Sequence, residues 1–589
     1  MIQPNKLAKH LPSNPLFPFP FVFLTIYFKL FADHIFFFQE KSILFQTSTE
    51  YLFETLHQPG KLLVYLGEFL TTFYYYPLAG SILISGITVL IMIELSAITR
   101  FLTGRSALLI PMLIGAVLFL LHTNYYYLLF NSLGLLLQVT LFYFTIRYFK
   151  GWVPVIIAPV WFFITGGFSW IYFFMITTWV IAYPGKLKWI KTGSLWVVCM
   201  AVLYVSKEFL FFQPVETLLF FPFTTENAGS KNYLFFPAMA LIACLPLISL
   251  IKIRVPFGKR IPEYVGKSAV AFLFFSALVI IAVLFSDKKT NRYFHVEKLF
   301  FQGKMDEVIA HNTKYPSNNI LTNYLNNIAL CEKGKLNDQL FHFRQSPDGQ
   351  TLFLKWEIQG EILRLGGYFY YTIGMINEAQ RWAFEYMVMK GPTPEGVKML
   401  IKTELINSNY EVASKYISLL KKSVFYRGEA KKYERMLFNE SSIHSDIELG
   451  IKKRDRVKKD FFTITDNPII NIERIVATDS LNRNAFDYKL AWLMLKKDYG
   501  NIVQELTRFN NLKLNRIPIH LEEAALVYRM TAKKGTLPDP GNLALSRDTE
   551  GRFQNFLATF QQYNNDPRRA EPALRKQFGN TFWYYAIYR

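Results

Sequence analysis

The residues whose chemistry stands out are a few charged side chains in or beside long apolar runs. Asp33 and Glu40 lie at the end of the first run, and Lys207 lies near the end of a later one. Ionisable groups at membrane depth are costly, so their presence there suggests a function. The sequence contains no phosphate-binding loop and no Gly-x-Gly-x-x-Gly, Gly-x-Ser-x-Gly or His-Glu-x-x-His pattern. Asp33, Glu40 and Lys207 are therefore the candidate catalytic residues.

Each candidate also has a purely structural interpretation. Lys29 and Asp33 are four residues apart and could neutralise one another on one helix face. Glu40 precedes Lys41 and could simply be interfacial, while Lys207 could pair with acidic loop residues or with a ligand. The sequence leaves these alternatives open.

Apolar residues are unevenly distributed along the 589-residue chain. Hydrophobic residues make up 51% and aromatic residues 17%, which is too apolar for an ordinary soluble protein. Long apolar runs recur up to residue 286 and are absent beyond Asp287. This pattern predicts an all-α protein with two domains, a transmembrane helix bundle over residues 1–286 and a soluble helical domain over residues 287–589.

The net charge of +21 does not indicate nucleic-acid binding. Zinc-ligand, RNA-binding and helix-turn-helix patterns do not stand out, and basic residues are spread over both halves. Cys199, Cys244 and Cys331 cannot form a disulfide framework. The expected partner is the lipid bilayer rather than nucleic acid, no cofactor is evident, and the sequence does not indicate whether a metal is bound.

About nine membrane spans are predicted from the apolar runs. Only Gly166 and Gly167 separate the fifth span from the sixth. Glu94 lies near the inner end of the second span, where its side chain can reach the interface. The predicted spans are 18–38, 74–97, 106–122, 125–148, 152–165, 168–183, 193–212, 233–251 and 268–286.

Basic residues occur in every second connection between these spans. Lys6 and Lys9 precede the first span, and basic clusters follow the second, fourth, sixth and eighth. The other connections are acidic or nearly uncharged. The positive-inside rule therefore predicts a cytoplasmic N-terminus and places residues 33–77 and the C-terminal domain on the outer side of the membrane. Lys288 and Lys289, just past the last span, run against the rule, although translocation of a long domain can override it.

Residues 39–73, between the first two spans, are too polar to cross a bilayer and too apolar for an ordinary linker. They carry Glu50, Glu54 and Glu68 among many aromatic residues. We expect amphipathic helices that lie on the outer membrane surface. The tyrosines at 74–76 suit the interfacial aromatic belt.

Two stretches in the soluble half share a helix-pair pattern. In GMINEAQRWAFEYM and SNYEVASKYISLL, Gly374 and Ser408 are each followed five positions later by an alanine, Ala379 or Ala413. The alanines are 34 residues apart, and the pattern resembles the tetratricopeptide repeat. A TPR-like α-solenoid is expected, which would bind a peptide or protein on its concave face or act as a rigid spacer. Weaker copies begin at Gly303, Gly334 and Asp498, and residues 438–483, with the basic run KKRDRVKK, are predicted as a loop or break.

The order of these elements looks like the GT-C class of membrane glycosyltransferases. That class uses polyprenyl-phosphate sugars, and some members carry C-terminal tetratricopeptide repeats. A carboxylate at the start of its first outer loop acts as a general base or metal ligand, and the positions that could match are Asp33 and Glu40. Such a base would take a proton from an acceptor hydroxyl, and Lys207 is the candidate cation for the departing phosphate. The paired acidic motif of the better-defined members is absent, so the resemblance is one of layout.

Two motifs resemble more closely an uncharacterised family of multi-pass bacterial envelope proteins. They are QPGKLLVYLGEFLTTFYYYP at 58–77 and NAFDYKLAWLMLKKD at 484–498, together with the final helical segment. This resemblance implies the same two-part architecture and no activity. Three functions remain: a GT-C-like transferase acting on lipid-linked sugars, a non-enzymatic scaffold whose TPR-like domain binds envelope-assembly proteins, and a transporter or flippase. The spans hold few buried charges and show no obvious inverted repeat, which disfavours a transporter or flippase.

Overall fold

The structure is a computed structural model, and its described part is helical throughout. No strand occurs among these residues, so the predicted all-α fold class is confirmed at that level. The described residues are 17–104, 108–149, 152–223, 233–251, 263–357, 360–458, 461, 463–464, 467–479, 481–507, 516–531 and 545–589.

The chain divides into two compact units. The first comprises Met1–Asp287 together with the tetrapeptide Lys422–Phe425, and the second comprises Lys288–Lys421 and Tyr426–Arg589. The helices of the first unit are α1 (Pro18–Phe31), α2 (Asp33–Ser42), α3 (Thr49–Glu54), α4 (Lys61–Thr71), α5 (Pro77–Thr103), α6 (Leu109–His122), α7 (Leu129–Arg147), α8 (Val153–Thr165), α9 (Ser169–Ala182), α10 (Lys186–Val205), α11 (Val215–Phe220), α12 (Phe235–Ala243), α13 (Leu245–Ile248) and α14 (Glu263–Leu284).

Nine separate membrane spans are not confirmed. By length and composition, the described residues contain four helical stretches able to cross a bilayer, and up to six if each of two bent helix pairs is one span. The four stretches are Pro77–Thr103, Leu129–Arg147, Val153–Ala182 and Leu187–Leu210. The bent pairs are α1 with α2, at 75°, and Ala269–Leu284 with Lys288–Phe301, at 73°.

Helix breaks account for the difference between the predicted spans and these helical stretches. The predicted spans 152–165 and 168–183 form one stretch, joined through the 3-10 turn Gly166–Phe168. The run 233–251 is split at Cys244 into helices of 9 and 4 residues, each too short for a bilayer. Helix α6 has 14 residues and is therefore about 21 Å long. Hydropathy reports apolar composition but not the points at which a helix ends.

The first unit has an aromatic and aliphatic core that fixes α1 and α2. Helix α1 packs against α5 and α14. Leu24 and Phe28 of α1 and Ile35 and Phe36 of α2 are almost completely buried, and Phe28 contacts the ring of Phe119 on α6. Both sides of the bend between α1 and α2 are thus held by the same core.

In the described part of the second unit, several helices pack against the next one along the chain. The helices of this unit are α15 (Lys288–Phe301), α16 (Met305–Lys314), α17 (Ile320–Glu332), α18 (Leu336–Gln339), α19 (Glu361–Thr372), α20 (Ile376–Lys390), α21 (Pro394–Ile406), α22 (Tyr410–Lys421), α23 (Arg427–Glu434), α24 (Glu440–Ser445), α25 (Ile447–Arg454), α26 (Pro468–Thr478), α27 (Arg483–Leu495), α28 (Tyr499–Thr507), α29 (Ile519–Thr531), α30 (Arg547–Gln562), α31 (Pro567–Phe578) and α32 (Phe582–Tyr588). Helices α27 and α29 also pack against α18.

Five of the turns between successive helices share one geometry. In each, a residue with positive φ follows the first helix, and the next backbone N–H bonds to the carbonyl five residues earlier, as in a Schellman motif. Four of the positive-φ residues begin the predicted repeats, and the fifth directly precedes Asp498. They are Gly303, Gly334, Gly374, Ser408 and Lys497, with φ of 72°, 63°, 84°, 63° and 57°.

The helix pairs also use the two alanines identified in the sequence. Ala379 and Ala413 are both fully buried, and α19 to α22 pack in sequence, each against the next. The loop predicted over residues 438–483 is wrong in part, because α24, α25 and α26 lie there. Lys452 is the physical reason: it is buried and pairs with Glu332 at 2.5 Å, so part of the basic run belongs to a packed helix.

Candidate functional site

Asp33 and Glu40 lie on one short helix at the bend after α1. Asp33 is the first residue of α2 and is half-buried, whereas Glu40 is 8% exposed. Seven residues make about two helical turns, so the two carboxylates share a helix face about 10 Å apart along the axis. The chain bends between Lys29 and Asp33, so these two do not lie on one continuous helix face.

Helix α2 is fastened to the turn between α6 and α7. The Gln39 side-chain amide donates to the carbonyl oxygens of Tyr125 and Tyr127, both at 3.0 Å. The other side-chain atom of Gln39, Oε1, is buried and accepts no hydrogen bond from the described residues. Beside it, the Glu40 carboxylate lies 3.8 Å from the Lys41 ammonium. The C-terminal end of α2 is therefore held in place by hydrogen bonds and carries buried polar atoms.

The segment after α2 is helical and carries a half-buried acidic group. Helices α3 and α4 lie within it, and Tyr51 donates a hydrogen bond to Glu68 at 2.6 Å. Burial raises the pKa of the Glu68 carboxyl, against the effect of this hydrogen bond. Leu52, Phe53 and Leu66 on the same helices are exposed. Exposed apolar side chains on short helices suit a position at a membrane surface.

Two glycines bring this segment against the glycine pair of the bundle. Gly60 and Gly166 both have positive φ, 83° and 57°. A Cβ atom on Gly60 would lie 3.0 Å from the Gly166 Cα, so neither residue has room for a side chain. The Gly60 N–H also donates to the carbonyl of Phe163 at 2.9 Å. The Gln-Pro-Gly motif thus anchors the surface segment by direct backbone contact.

The tetrapeptide Lys422–Phe425 packs on the same segment within the first unit. The Phe425 ring stacks on Tyr75 with centroids 5.1 Å apart and meets Phe73 and Tyr76 at 5.8 and 5.5 Å. The Lys422 carbonyl accepts a hydrogen bond from the Thr47 N–H at 2.8 Å. The tyrosines expected to form an interfacial belt therefore also hold this tetrapeptide.

Lys207 lies apart from the two carboxylates. It is in a π-helical turn, Ser206–Leu210, at the end of α10, and pairs with its neighbour Glu208 at 2.7 Å. Helix α10 packs against α8 and α9, whereas α2 packs against α1, α4, α5 and residues 72–75. The structure thus brings Asp33 and Glu40 onto one helix and puts Lys207 on a helix that packs elsewhere.

Two polar contacts inside the bundle were missed by sequence reasoning. Glu94 accepts hydrogen bonds from the Thr140 hydroxyl at 2.9 and 2.8 Å, so its carboxylate has a partner on α7. His122 and Ser132 contact one another at 2.8 Å, and both are almost completely buried. A substrate has no access to this pair in the fold, so it joins α6 to α7 structurally. The sequence contained these residues but no signal for pairing between helices.

The described residues contain no group of three or more His, Cys, Asp or Glu side chains arranged to hold a metal ion.

Comparison with known proteins gives a family and no activity. No curated protein and no solved structure matches the chain. Residues 11–589 match the profile of DUF6057, a family of unknown function. Because the match covers nearly the whole chain, this protein belongs to that family.

Proposed function

We propose that this protein is a GT-C-like transferase of the bacterial inner membrane, which moves a sugar from a polyprenyl-phosphate donor to an acceptor hydroxyl. The observation that carries the proposal is the 75° bend after α1, which makes Asp33 the first residue of a separate helix, α2. Helices α3 and α4 follow before the long helix α5. A carboxylate at the start of a helical outer segment is the feature that the GT-C resemblance requires.

In this reaction Asp33 or Glu40 acts as the general base. The carboxylate takes the proton of the acceptor hydroxyl as its oxygen bonds to the anomeric carbon of the sugar. The bond from that carbon to the phosphate oxygen breaks, and the lipid phosphate leaves with the electron pair. Lys207 remains the proposed cation for this phosphate, although its packing partners differ from those of α2. Lys41, beside Glu40, is a closer cation.

The proposed topology has the N-terminus in the cytoplasm and the second unit in the periplasm. The alternation of basic connections supports this orientation.

Replacement of the carboxylates tests the proposal. In a strain that lacks the chromosomal copy, Asp33→Asn or Glu40→Gln should abolish the change in lipid-linked or surface glycans that the wild-type protein restores. Glu54→Gln is the matched control, because Glu54 is an exposed carboxylate on α3. All variants should insert and accumulate equally. Normal glycans with both Asp33→Asn and Glu40→Gln would refute the transferase.

A non-enzymatic scaffold is the second candidate. The repeated helix-pair turns of the second unit favour it, because stacked helix pairs present extended protein-binding surfaces. Under this alternative, the second unit would bind an envelope-assembly protein, and the carboxylate variants would behave as wild type. Deletion of residues 290–589 would then abolish function while the bundle still inserts.

A further inference from the structure

A polar cleft of about 290 Å³ lies within the second unit. The turns that precede α20 and α22 form two of its walls, and the chain that follows α25 forms the third. The Val457 N–H donates to the carbonyl of Gly374 at 3.1 Å, which holds this third wall against the first turn. The cleft is thus built from three backbone segments far apart in sequence.

Two cationic side chains reach this cleft. Arg456 is half-buried, and its Nη1 donates to Asn407 Oδ1 at 3.3 Å. Lys458 is exposed at the same wall. Within the described part of the chain, neither side chain forms an ion pair with a carboxylate, so both charges remain available to a ligand.

The carboxylate that lines the cleft is already neutralised. Glu378 is 5% exposed and accepts hydrogen bonds from Arg381 Nε at 3.1 Å and from the Trp382 indole at 3.0 Å. The cleft therefore has a net positive character. Helices α20 and α22 also begin at its edge, and their N-terminal dipoles add to this character.

The remaining lining combines amides with an apolar wall. Asn377, Asn407 and Asn409 supply the amides, and Ile376, Val457 and Phe461 supply apolar surface. A phosphate usually requires several cations or a cradle of backbone N–H groups. One guanidinium, one exposed ammonium and an apolar wall better suit a singly charged carboxylate with an apolar neighbour. The volume is at the lower limit for small-molecule pockets, so it fits a side chain or chain end.

We propose that this cleft binds a carboxylate presented by an extended peptide, with Arg456 as its main anchor and Lys458 as a secondary cation. The carboxylate comes from either an acidic side chain or a peptide C-terminus. This inference does not depend on the transferase reaction, because it concerns a different unit and a binding event rather than catalysis.

Binding of short peptides to the full-length protein in detergent tests the proposal by fluorescence anisotropy. The probes are N-terminally dansylated Gly-Ser-Ala-Leu-Asp with a free C-terminus, its C-terminal amide, and both forms with asparagine in place of the aspartate, since the dansyl group carries no carboxylate of its own. We expect the probe with no carboxylate to be the weakest. Comparison of the two single-carboxylate probes identifies which source the cleft prefers.

Variants connect the binding to the cleft. Arg456→Gln should lower affinity about tenfold or more, because it removes a charge-assisted hydrogen bond, and Arg456→Lys should restore part of the loss. Arg568→Gln is the matched control, since Arg568 is exposed on α31 and does not line the cleft. Unchanged thermal unfolding will show that Arg456→Gln is folded.

Three outcomes overturn the proposal. One is that no probe binds at concentrations up to about 1 mM. Another is equal affinity of folded Arg456→Gln and wild type for the preferred probe. The last is displacement of that probe by inorganic phosphate at phosphate concentrations lower than the Kd of the peptide probe. That result would identify the cleft as a phosphate site.

Discussion

Gln39 and Tyr127 are joined by a hydrogen bond of 3.0 Å that fixes α2 against the turn between α6 and α7. The same amide donates to Tyr125, so one side chain satisfies two backbone carbonyls. Because Glu40 is the next residue, the position of one candidate carboxylate depends directly on this contact.

Gln39→Leu should therefore destabilise the first unit and disturb the site. The substitution leaves two carbonyl oxygens without their donor, at a cost of about 1–3 kcal/mol. Thermal unfolding in detergent measures the change in the free energy of unfolding. Gln561→Leu provides the same substitution at an exposed position and should have little effect. Equal melting of both variants would show that the amide does not hold α2.

The contact between Gly60 and Gly166 predicts a strong effect of one added methyl group. Gly166→Ala would bring a Cβ to 2.7 Å from the Phe221 carbonyl oxygen at a residue with positive φ. We expect lower stability and displacement of the surface segment. Gly86→Ala is the control, since no atom outside its own helix lies within 4 Å of that Cβ. It should be neutral or stabilise by up to about 1 kcal/mol. Limited proteolysis between residues 43 and 60 reports the displacement, and an unchanged cleavage rate would count against the contact.

Lys497, like Ser408, is a non-glycine residue with positive φ at one of the five equivalent turns, and its φ is 57°. Glycine adopts this conformation without a steric penalty, so Lys497→Gly should raise the free energy of unfolding of the second unit by about 1 kcal/mol. Lys496→Gly is the adjacent control. Lys496 has φ of −82°, so glycine there should destabilise instead. Effects of the same sign at both positions would contradict the assigned turn.

Asp487 predicts how stability in the second unit depends on pH. Burial raises the pKa of this carboxyl to about 6, although Arg483 and Asn337 act in the opposite direction. The folded-state pKa then exceeds the unfolded value, so the contribution of this group to stability falls as pH rises from about 4 to about 6. Above pH 6 the ionised group is unfavourable by about 1–3 kcal/mol.

Asp487→Asn should remove this pH-dependent loss. Asn337 Nδ2 donates to Asp487 Oδ1 at 3.1 Å, and an asparagine oxygen can accept the same bond. The variant should therefore unfold at a higher temperature than wild type at pH 8, with the difference shrinking at pH 4. Asp548→Asn, at an exposed position on α30, is the control. A lower melting temperature for Asp487→Asn at pH 8 would mean that the ion pair with Arg483 dominates.

Local features of this fold could be predicted from sequence, whereas contacts between distant helices could not. The positions Gly374 and Ser408 with their alanines identified helix-pair turns because backbone geometry restricts the residues tolerated there. Apolar runs located membrane-compatible helices but not the break at Cys244, because hydropathy does not register backbone restrictions. Pro246, in the first turn of α13, is the local signal for that break.

In the candidate site, too, local features could be predicted from sequence and contacts between helices could not. Asp33 was identifiable because a carboxylate at the end of an apolar run is unusual by itself. The partner of Glu94, Thr140 on α7, depends on how α5 and α7 are rotated against one another, which composition does not specify. The ion-pair partner of Lys207, in contrast, is its sequence neighbour Glu208, which is a local contact.

In the proposed topology, the carboxylates on α2 and the second unit lie on the outer side of the membrane. Labelling of single cysteines with a membrane-impermeant maleimide, in a background where Cys199, Cys244 and Cys331 are alanine, tests it most directly. Cysteines at the exposed positions Glu54, Arg568 and Pro184 serve as reporters. We expect Glu54→Cys and Arg568→Cys to react in intact spheroplasts, and Pro184→Cys to react only after lysis. Protection of Glu54→Cys, or labelling of Arg568→Cys only after lysis, would contradict this topology.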